Sequence, residues 1–159
     1  MEQTHILVAT DFSQSSLVAV QTAARLVQTL NGKVTMLHCI ERHRAFPEIG
    51  VPQVPTALSS TGLHPYESAL SGQQEDLAQA AREALARICN DHFPQIEAKL
   101  AVIHDDSPVD GICRYAEAHG ADWLVVGTHG HSGLGQLLLG TGTEHIVRHA
   151  PCTVVVARG

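Results

Sequence analysis

The chain has 159 residues, of which 44% are hydrophobic and 16% charged, and its formal net charge is -6 at pH 7. This size and composition predict a single globular domain over residues 1–159, while the acidic balance argues against nucleic acid or an anionic membrane as a partner. The sequence shows neither a basic leader nor an apolar run of the roughly 18 residues that a membrane helix needs. We therefore expect a cytoplasmic protein without membrane insertion.

The first part of the chain predicts a strand, a helix, a second strand and a long loop. Residues 5–10 form an apolar strand, and Ser13 is placed to cap a helix that Asn31 and Gly32 end. Residues 33–40 predict the second strand. Residues 42–66 are rich in Pro, Gly, Ser and Thr without periodicity, which indicates a long loop.

The remaining elements continue the alternation of helix and strand. Ser107 is expected to cap the third helix, with Pro108 in its first turn and Asp110 completing a capping box. The predicted elements are, in order, a helix over 65–90, a strand over 95–104, the helix opened by Ser107, a strand over 121–126, a short helix over 143–149 and a last strand at 154–156.

Alternating strands and helices predict a parallel sheet with right-handed crossovers. The expected fold is α/β and Rossmann-like: a five-stranded parallel sheet, doubly wound into a three-layer α/β/α sandwich. In such open sheets, ligands bind at the carboxyl ends of the strands beside the point where the strand order reverses.

The segment after the fourth strand carries the motif Gly127-x2-Gly130-x9-Gly140-Thr141. Glycines let the backbone approach an anion closely, and the N-terminus of a helix adds N–H donors without internal acceptors. This arrangement predicts a phosphate cradle and a nucleotide ligand. No Lys follows the last glycine, so the motif is not a Walker A loop, and the glycine order differs from the dinucleotide fingerprint.

The glycine loop, the opening Ile-Leu-Val-Ala-Thr-Asp-Phe-Ser over residues 6–13 and the tail over residues 144–152 resemble the universal stress protein family. The resemblance spans nearly the whole chain and is to the ATP-binding branch. It implies the strand order 3-2-1-4-5, in the class of adenine-nucleotide alpha hydrolase-like folds. In that order Asp11 and Gly127 follow neighbouring strands, so we expect them to meet in one crevice.

The resemblance assigns roles to individual residues, and each has a plainer alternative. Asp11 is expected to accept hydrogen bonds from ribose hydroxyls, although a carboxylate beside a helix N-terminus is also stabilised by the dipole. The adenine wall is assigned to Ala9, Thr10, Cys39 and Ile40, with Cys39 fitting a plain core role equally. Phosphate contact is assigned to Gly130, Gly140, Thr141, Gly142 and Thr143, and phosphate or ribose contact to Gly127, His129 and Ser132. The alternative for these residues is turn glycines followed by a capping box of Thr141 and Glu144.

The loop departs from the family in its charge, because residues 127–147 contain no Lys or Arg and His129 stands where Arg is common. We therefore expect moderate ATP affinity assisted by Mg²⁺ or Mn²⁺. The pairs His129 with His131 and His145 with His149 have metal-ligand spacing, but no further ligand completes a set, so solvated or phosphate-facing roles are favoured. Four widely spaced cysteines without a CxxC pair predict reduced thiols.

The resemblance also implies a homodimer through the final strand, Thr153 to Ala157, because an apolar edge strand must be paired or covered. The function expected is that of an ATP-binding, nucleotide-responsive regulator of the stress response, acting on a client protein with little or no ATP turnover. Two alternatives stay open. One is an ATP-using enzyme of a related α/β class with a second-substrate pocket under residues 42–66, and the other is a nucleotide-free dimeric scaffold.

Overall fold

The computed structural model describes residues 3–42, 65–129 and 139–159. Nearly all of the predicted long loop therefore lies outside the described residues. The elements of the described part are β1 (His5–Ala9), α1 (Gln14–Leu30), β2 (Lys33–Glu41), α2 (Pro65–His92), β3 (Ala98–Asp105), α3 (Pro108–Ala118), β4 (Trp123–Gly127), α4 (Thr141–His149) and β5 (Thr153–Ala157). Among the described helices, none combines the length and the apolar character needed to cross a membrane.

The five strands form one parallel sheet in the order β3-β2-β1-β4-β5. This confirms the predicted fold and strand order. The chain first builds outward from β1 through β2 to β3, and then returns to place β4 on the other side of β1. The order therefore reverses between β1 and β4, and the carboxyl ends of these two strands flank the crevice where a ligand is expected.

Each face of the sheet is covered by a pair of helices, because successive strand side chains point to opposite faces. Ile6, Val8 and Met36 pack with residues of α1 and α2. Leu7 and Leu37 pack on the other face with residues of α3 and α4. Each fully buried side chain of this size contributes about 1.5–3 kcal/mol relative to an exposed one. Burial on both faces explains why the strands appear as continuous apolar runs in the sequence.

The predicted ends of α1 are confirmed. The Ser13 Oγ accepts a hydrogen bond from the Ser16 N–H at 3.2 Å, and Ser13 is the N-cap. Asn31 adopts the left-handed conformation with φ of 48° and ends the helix. Asn tolerates this conformation better than most residues, which is why it serves at helix ends.

The two predicted capping boxes are wrong. Ser107 is the N-cap of α3, but its side chain makes no capping hydrogen bond. It interacts with the Asp110 carboxylate instead and, together with His145, holds the pKa of that carboxyl below its usual value. Helix α4 begins two residues earlier than expected, so Gly140 is its N-cap and Thr141 is already helical. Glu144 consequently binds Arg148, one turn further along the helix.

Candidate functional site

A cavity of about 180 Å³ lies at the carboxyl ends of β1, β2 and β4, beside the first turns of α3 and α4. Its inner wall is apolar and consists of Ala9, Val109, Ile112, Val126 and Ile146. Polar groups of Thr10, Asp11, His129 and Thr143 line the rest of the cavity. The apolar wall suits a flat ring, and the polar rim suits hydroxyl or phosphate groups.

The β1 side of the cavity is held by side-chain bonds to the backbone. The Thr10 Oγ1 lies 2.9 Å from the Ser16 Oγ and accepts from the Phe12 N–H at 3.0 Å. The Asp11 Oδ1 accepts from the Ser13 N–H at 3.0 Å, immediately before α1. Asp11 thus serves the turn before the helix and also lines the cavity, so the two roles considered for it are compatible.

Phe12 is a feature of the site that the sequence did not reveal. Its φ is 65°, in the left-handed region, which costs a non-glycine residue roughly 1–2 kcal/mol. Its ring is exposed and lies 4.5 Å from the ring of His38, whose Nδ1 donates to the Thr10 carbonyl at 2.8 Å. This strained turn directs Asp11 and Thr10 towards the cavity while Phe12 points away from the core.

Gly127 has a packing role that the motif alone did not show. A Cβ at this position would lie 2.5 Å from the Oγ and 2.6 Å from the carbonyl oxygen of Ser15. Only glycine therefore allows α1 to approach the end of β4. The Gly127 carbonyl accepts from the Thr143 Oγ1 at 2.9 Å, which joins the end of β4 to the first turn of α4.

The first turn of α4 offers backbone donors to the cavity region. The Gly140 N–H donates to the Thr128 carbonyl at 2.8 Å, and the Gly140 carbonyl accepts from Glu144 at 2.9 Å. Helix geometry leaves the N–H groups of Thr141, Gly142 and Thr143 without acceptors inside the helix. The Thr143 hydroxyl is buried in its bond to Gly127, so Thr143 can offer a ligand its N–H only.

His129 lines the cavity, and the described residues satisfy only part of the hydrogen-bonding capacity of its ring. Its N–H donates to the Ser15 Oγ at 3.1 Å, and its Nδ1 lies 2.8 Å from the Thr128 Oγ1. Its Nε2 is buried and has no hydrogen-bond partner among the described residues. If Nδ1 accepts from the Thr128 hydroxyl, Nε2 carries the proton and is a buried donor beside the cavity.

Of the two residues at the end of β2 that were predicted to line the site, one does and the other does not. Cys39 lines the cavity, and burial, together with Asp105, raises the pKa of its thiol to about 11, so it stays neutral at physiological pH. Ile40 faces the opposite side of the sheet and lines a separate cavity with Phe12 and Leu77 of α2. Alternation along the strand separates these neighbours, so the structure does not bring the Ile40 side chain to the site.

Most of the predicted site residues nevertheless meet. The cavity lining includes Ala9, Thr10, Asp11, Cys39, Gly127, His129, Gly142 and Thr143, with Gly140 and Thr141 on the adjoining turn. Gly130, His131 and Ser132 lie outside the described residues. Val109 and Ile112 were missed, because side chains on the apolar face of a helix give no sequence signal that separates cavity wall from core.

The histidines of α4 hold two helices together. The His145 Nε2 lies 2.7 Å from the Asp110 Oδ1 of α3, and the His145 ring stacks on His149 with centroids 4.2 Å apart. These contacts account for the four-residue spacing without a metal. The described part of the chain contains no group of three or more His, Cys, Asp or Glu residues arranged to hold a metal ion.

The fold and the cavity define a doubly wound α/β protein with a ligand site at the reversal of its strand order. The sequence matches the Universal stress protein family over residues 3–158, and the chain belongs to that family. Two relatives are similar over almost the whole chain. Universal stress protein A homolog 1 of Coxiella burnetii is 28% identical over 98% of this chain and 96% of its own. Universal stress protein MJ0531 of Methanocaldococcus jannaschii is 26% identical over 96% of this chain and 81% of its own.

Solved structures support the fold. MJ0577 of Methanocaldococcus jannaschii superposes with a TM-score of 0.77 at 21% identity, covering 100% of this chain and 98% of its own. A universal stress protein in complex with cAMP has a TM-score of 0.58 at 22% identity, over 99% and 98% of the two chains. One from Archaeoglobus fulgidus in complex with dAMP has a TM-score of 0.56 at 16% identity, over 98% of each chain. At these identities the likeness establishes the fold alone.

Proposed function

We propose that this protein binds an adenine nucleotide in the cavity between β1, β4 and α4 and acts as a nucleotide-responsive regulator in the stress response. The observation that carries the proposal is the convergence of three groups on one cavity. They are an apolar wall, the Asp11 carboxylate and the N–H groups in the first turn of α4. These groups match, in turn, the base, the ribose hydroxyls and a phosphate.

The size of the cavity suits only part of a nucleotide. Pockets that enclose a whole small molecule measure roughly 300–1,000 Å³. The described residues enclose about 180 Å³, which is suited to the base against Val109, Ile112 and Val126. The ribose then lies at the mouth beside Asp11, and the phosphates extend over α4.

ATP is the proposed ligand, accompanied by Mg²⁺ or Mn²⁺. Residues 127–147 contain no Lys or Arg, so backbone donors and His129 would face the phosphate charge without a cationic side chain. A divalent cation bound to the phosphates offsets part of that charge. The same lack of a cationic side chain in this segment, which leaves no Lys or Arg there to stabilise a transferring phosphate, argues for little or no turnover.

The two nucleotide complexes among the solved relatives are consistent with an adenine nucleotide here. Those proteins bind cAMP and dAMP, which share an adenine base and one phosphate group. In this chain the apolar wall and the N-terminus of α4 suit the same two parts. A ligand with more phosphates would need the cation described above.

We further propose that the protein is a homodimer paired through β5. The dimer would work in the cytoplasm and bind its client protein there. β5 is the edge of the sheet, and Val154 to Val156 are only half-buried in the single chain. The Thr153 N–H donates to the Asp122 carbonyl, on the β4 side. Because N–H directions alternate along a strand, those of Val154 and Val156 face the open edge and are available to a second copy.

Isothermal titration of ATP with Mg²⁺ tests the nucleotide proposal. Gly140 has φ of -62° and ψ of 147°, which any residue can adopt, so Gly140→Val can fold while its branched side chain fills the space over the turn. We expect at least a ten-fold loss of affinity, about 1.4 kcal/mol. Gly72→Val is the matched control, because a Cβ there meets nothing within 4 Å.

Measurements on the same proteins distinguish the proposed function from the nucleotide-free scaffold and from the ATP-using enzyme. No heat with the wild-type protein, and no nucleotide in native mass spectra of the purified protein, would favour the nucleotide-free scaffold. Rapid ATP consumption in a turnover assay would favour the enzyme. Equal affinities of the wild type and Gly140→Val would show that the glycine turn does not bind the phosphates.

A further inference from the structure

Lysine is scarce in this chain and is concentrated at one place. The 159-residue sequence contains two lysines, Lys33 and Lys99. Both line a cavity of about 520 Å³ at the amino ends of β1, β2 and β3. This is the end of the sheet opposite the candidate nucleotide site, so the cavity is independent of the proposed function.

The sheet register brings the two lysines onto one face. Thr35 of β2 pairs with Lys99 of β3, and Lys33 precedes Thr35 by two residues, so all three side chains point to the same side. Leu37, two residues further along β2, packs against the core beneath α3 and α4, which identifies that side. Strand spacing and rise place the two lysine Cα atoms roughly 8 Å apart, close enough for both ammonium groups to reach one small ligand.

Hydrogen bonds fix the floor and one wall of the cavity. His5 is buried, with its Nε2 2.9 Å from the Thr35 Oγ1 and its Nδ1 3.1 Å from the His119 carbonyl. The His119 ring lines the wall and stacks on Tyr115 with centroids 3.8 Å apart. The Lys99 Nζ lies 5.9 Å from the centroid of the Tyr115 ring. The positively charged rim therefore surrounds an ordered floor.

Neither lysine is neutralised by the described part of the chain. Ion pairs there involve arginines and His145, and none joins Lys33 or Lys99 to a carboxylate within 4 Å. Glu97 is the acidic residue of the described lining, so the two lysines exceed it in charge. Asp122, beside the floor, uses its Oδ2 to accept from the His5 N–H at 2.8 Å.

We infer that this lysine cavity is a second ligand site and that it binds a phosphate group, either as inorganic phosphate or as a phosphate monoester. A tetrahedral dianion has enough acceptor oxygens to contact both ammonium groups at once. The His119 Nδ1 donates to the Tyr115 carbonyl at 3.0 Å, which holds this ring in the wall of the cavity. In a protein of net charge -6, a local excess of positive charge around a cavity selects for such an anion.

The scarcity of lysine supplies a direct measurement. Protein grown with ¹⁵N-lysine gives two backbone amide signals in a two-dimensional NMR spectrum, and Lys33→Gln and Lys99→Gln assign them by removing one each. Inorganic phosphate is titrated at constant ionic strength, with sodium chloride as the comparison. Both signals should move along one saturation curve, and each substitution should weaken the affinity roughly five-fold or more, as expected for losing a charge-assisted hydrogen bond.

Three controls make the outcome decisive. Arg25→Gln removes an exposed cation of α1, on the other side of the sheet, and should leave the curve unchanged. Gly140→Val should also leave it unchanged. Methyl phosphate distinguishes the two sources, since a monoester site binds it at least as tightly as inorganic phosphate. Unsaturable shifts, shifts reproduced by chloride, or a curve lost in Gly140→Val would overturn the inference.

Discussion

Replacing Gly127 by alanine tests whether the first glycine of the loop serves helix packing. The new Cβ would lie 2.6 Å from the Ser15 carbonyl oxygen, whereas ordinary contact begins near 3.4 Å, so α1 must retreat by about 0.8 Å. Overpacking of this kind costs roughly 1–3 kcal/mol. For a chain of this length each kcal/mol lowers Tm by roughly 2–4 °C, which predicts a fall of about 2–12 °C.

Thermal unfolding without nucleotide, followed by circular dichroism, measures the effect of Gly127→Ala. The double variant with Ser15→Ala separates the two clashes, because it removes the Ser15 Oγ and leaves the backbone carbonyl in place. We expect the double variant to remain destabilised. A Gly127→Ala protein that is as stable as the wild type but defective in nucleotide binding would refute the packing argument. It would show that Gly127 serves ligand binding.

The remaining predictions concern the dimer and two histidines. Val154→Pro removes an N–H of β5 that faces the open edge, so light scattering should show a monomer. Val155→Pro removes an N–H that faces β4 and should weaken the sheet instead. A Val154→Pro protein that stays dimeric would exclude this interface. If the His129 Nε2 donates to a phosphate oxygen, His129→Phe, which removes that donor and keeps an aromatic ring, should weaken ATP affinity in isothermal titration, and an unchanged affinity would show that His129 does not bind the phosphates. Burial lowers the pKa of His5 below 6.5 in the folded protein. As the pH falls, His5 of the unfolded chain is therefore protonated before His5 of the folded chain, which favours unfolding. The free energy of unfolding should fall as the pH drops through 6.5, by at most about 1.4 kcal/mol per pH unit. Denaturant titrations at several pH values, compared with His5→Gln, check this, and an identical slope in the variant would contradict it.

The positions of the strands and helices along the chain were predicted from local sequence signals. Apolar runs, the Ser13 cap and the Asn31 stop predicted β1, α1 and β2 to within a residue, because these signals act over a few neighbouring positions. The start of α4 was placed two residues late. Threonine and glycine at positions 141–143 are weak helix formers, and in the structure the Thr143 bond to Gly127 anchors that turn.

Long-range pairing decided what local patterns could not. The motif predicted that Gly127 approaches something closely, but only the packing of α1 shows that its close neighbour is Ser15. Ile40 was assigned to the site because it lies at the end of β2, yet strand alternation turns its side chain to the other face. Lys33 and Lys99 are 66 positions apart in the sequence and share a cavity because β2 pairs with β3. The sequence by itself determined which segments become strands and helices, since those choices depend on near neighbours. Tertiary structure determined which side chains share a cavity, since that depends on register and on the face each residue presents.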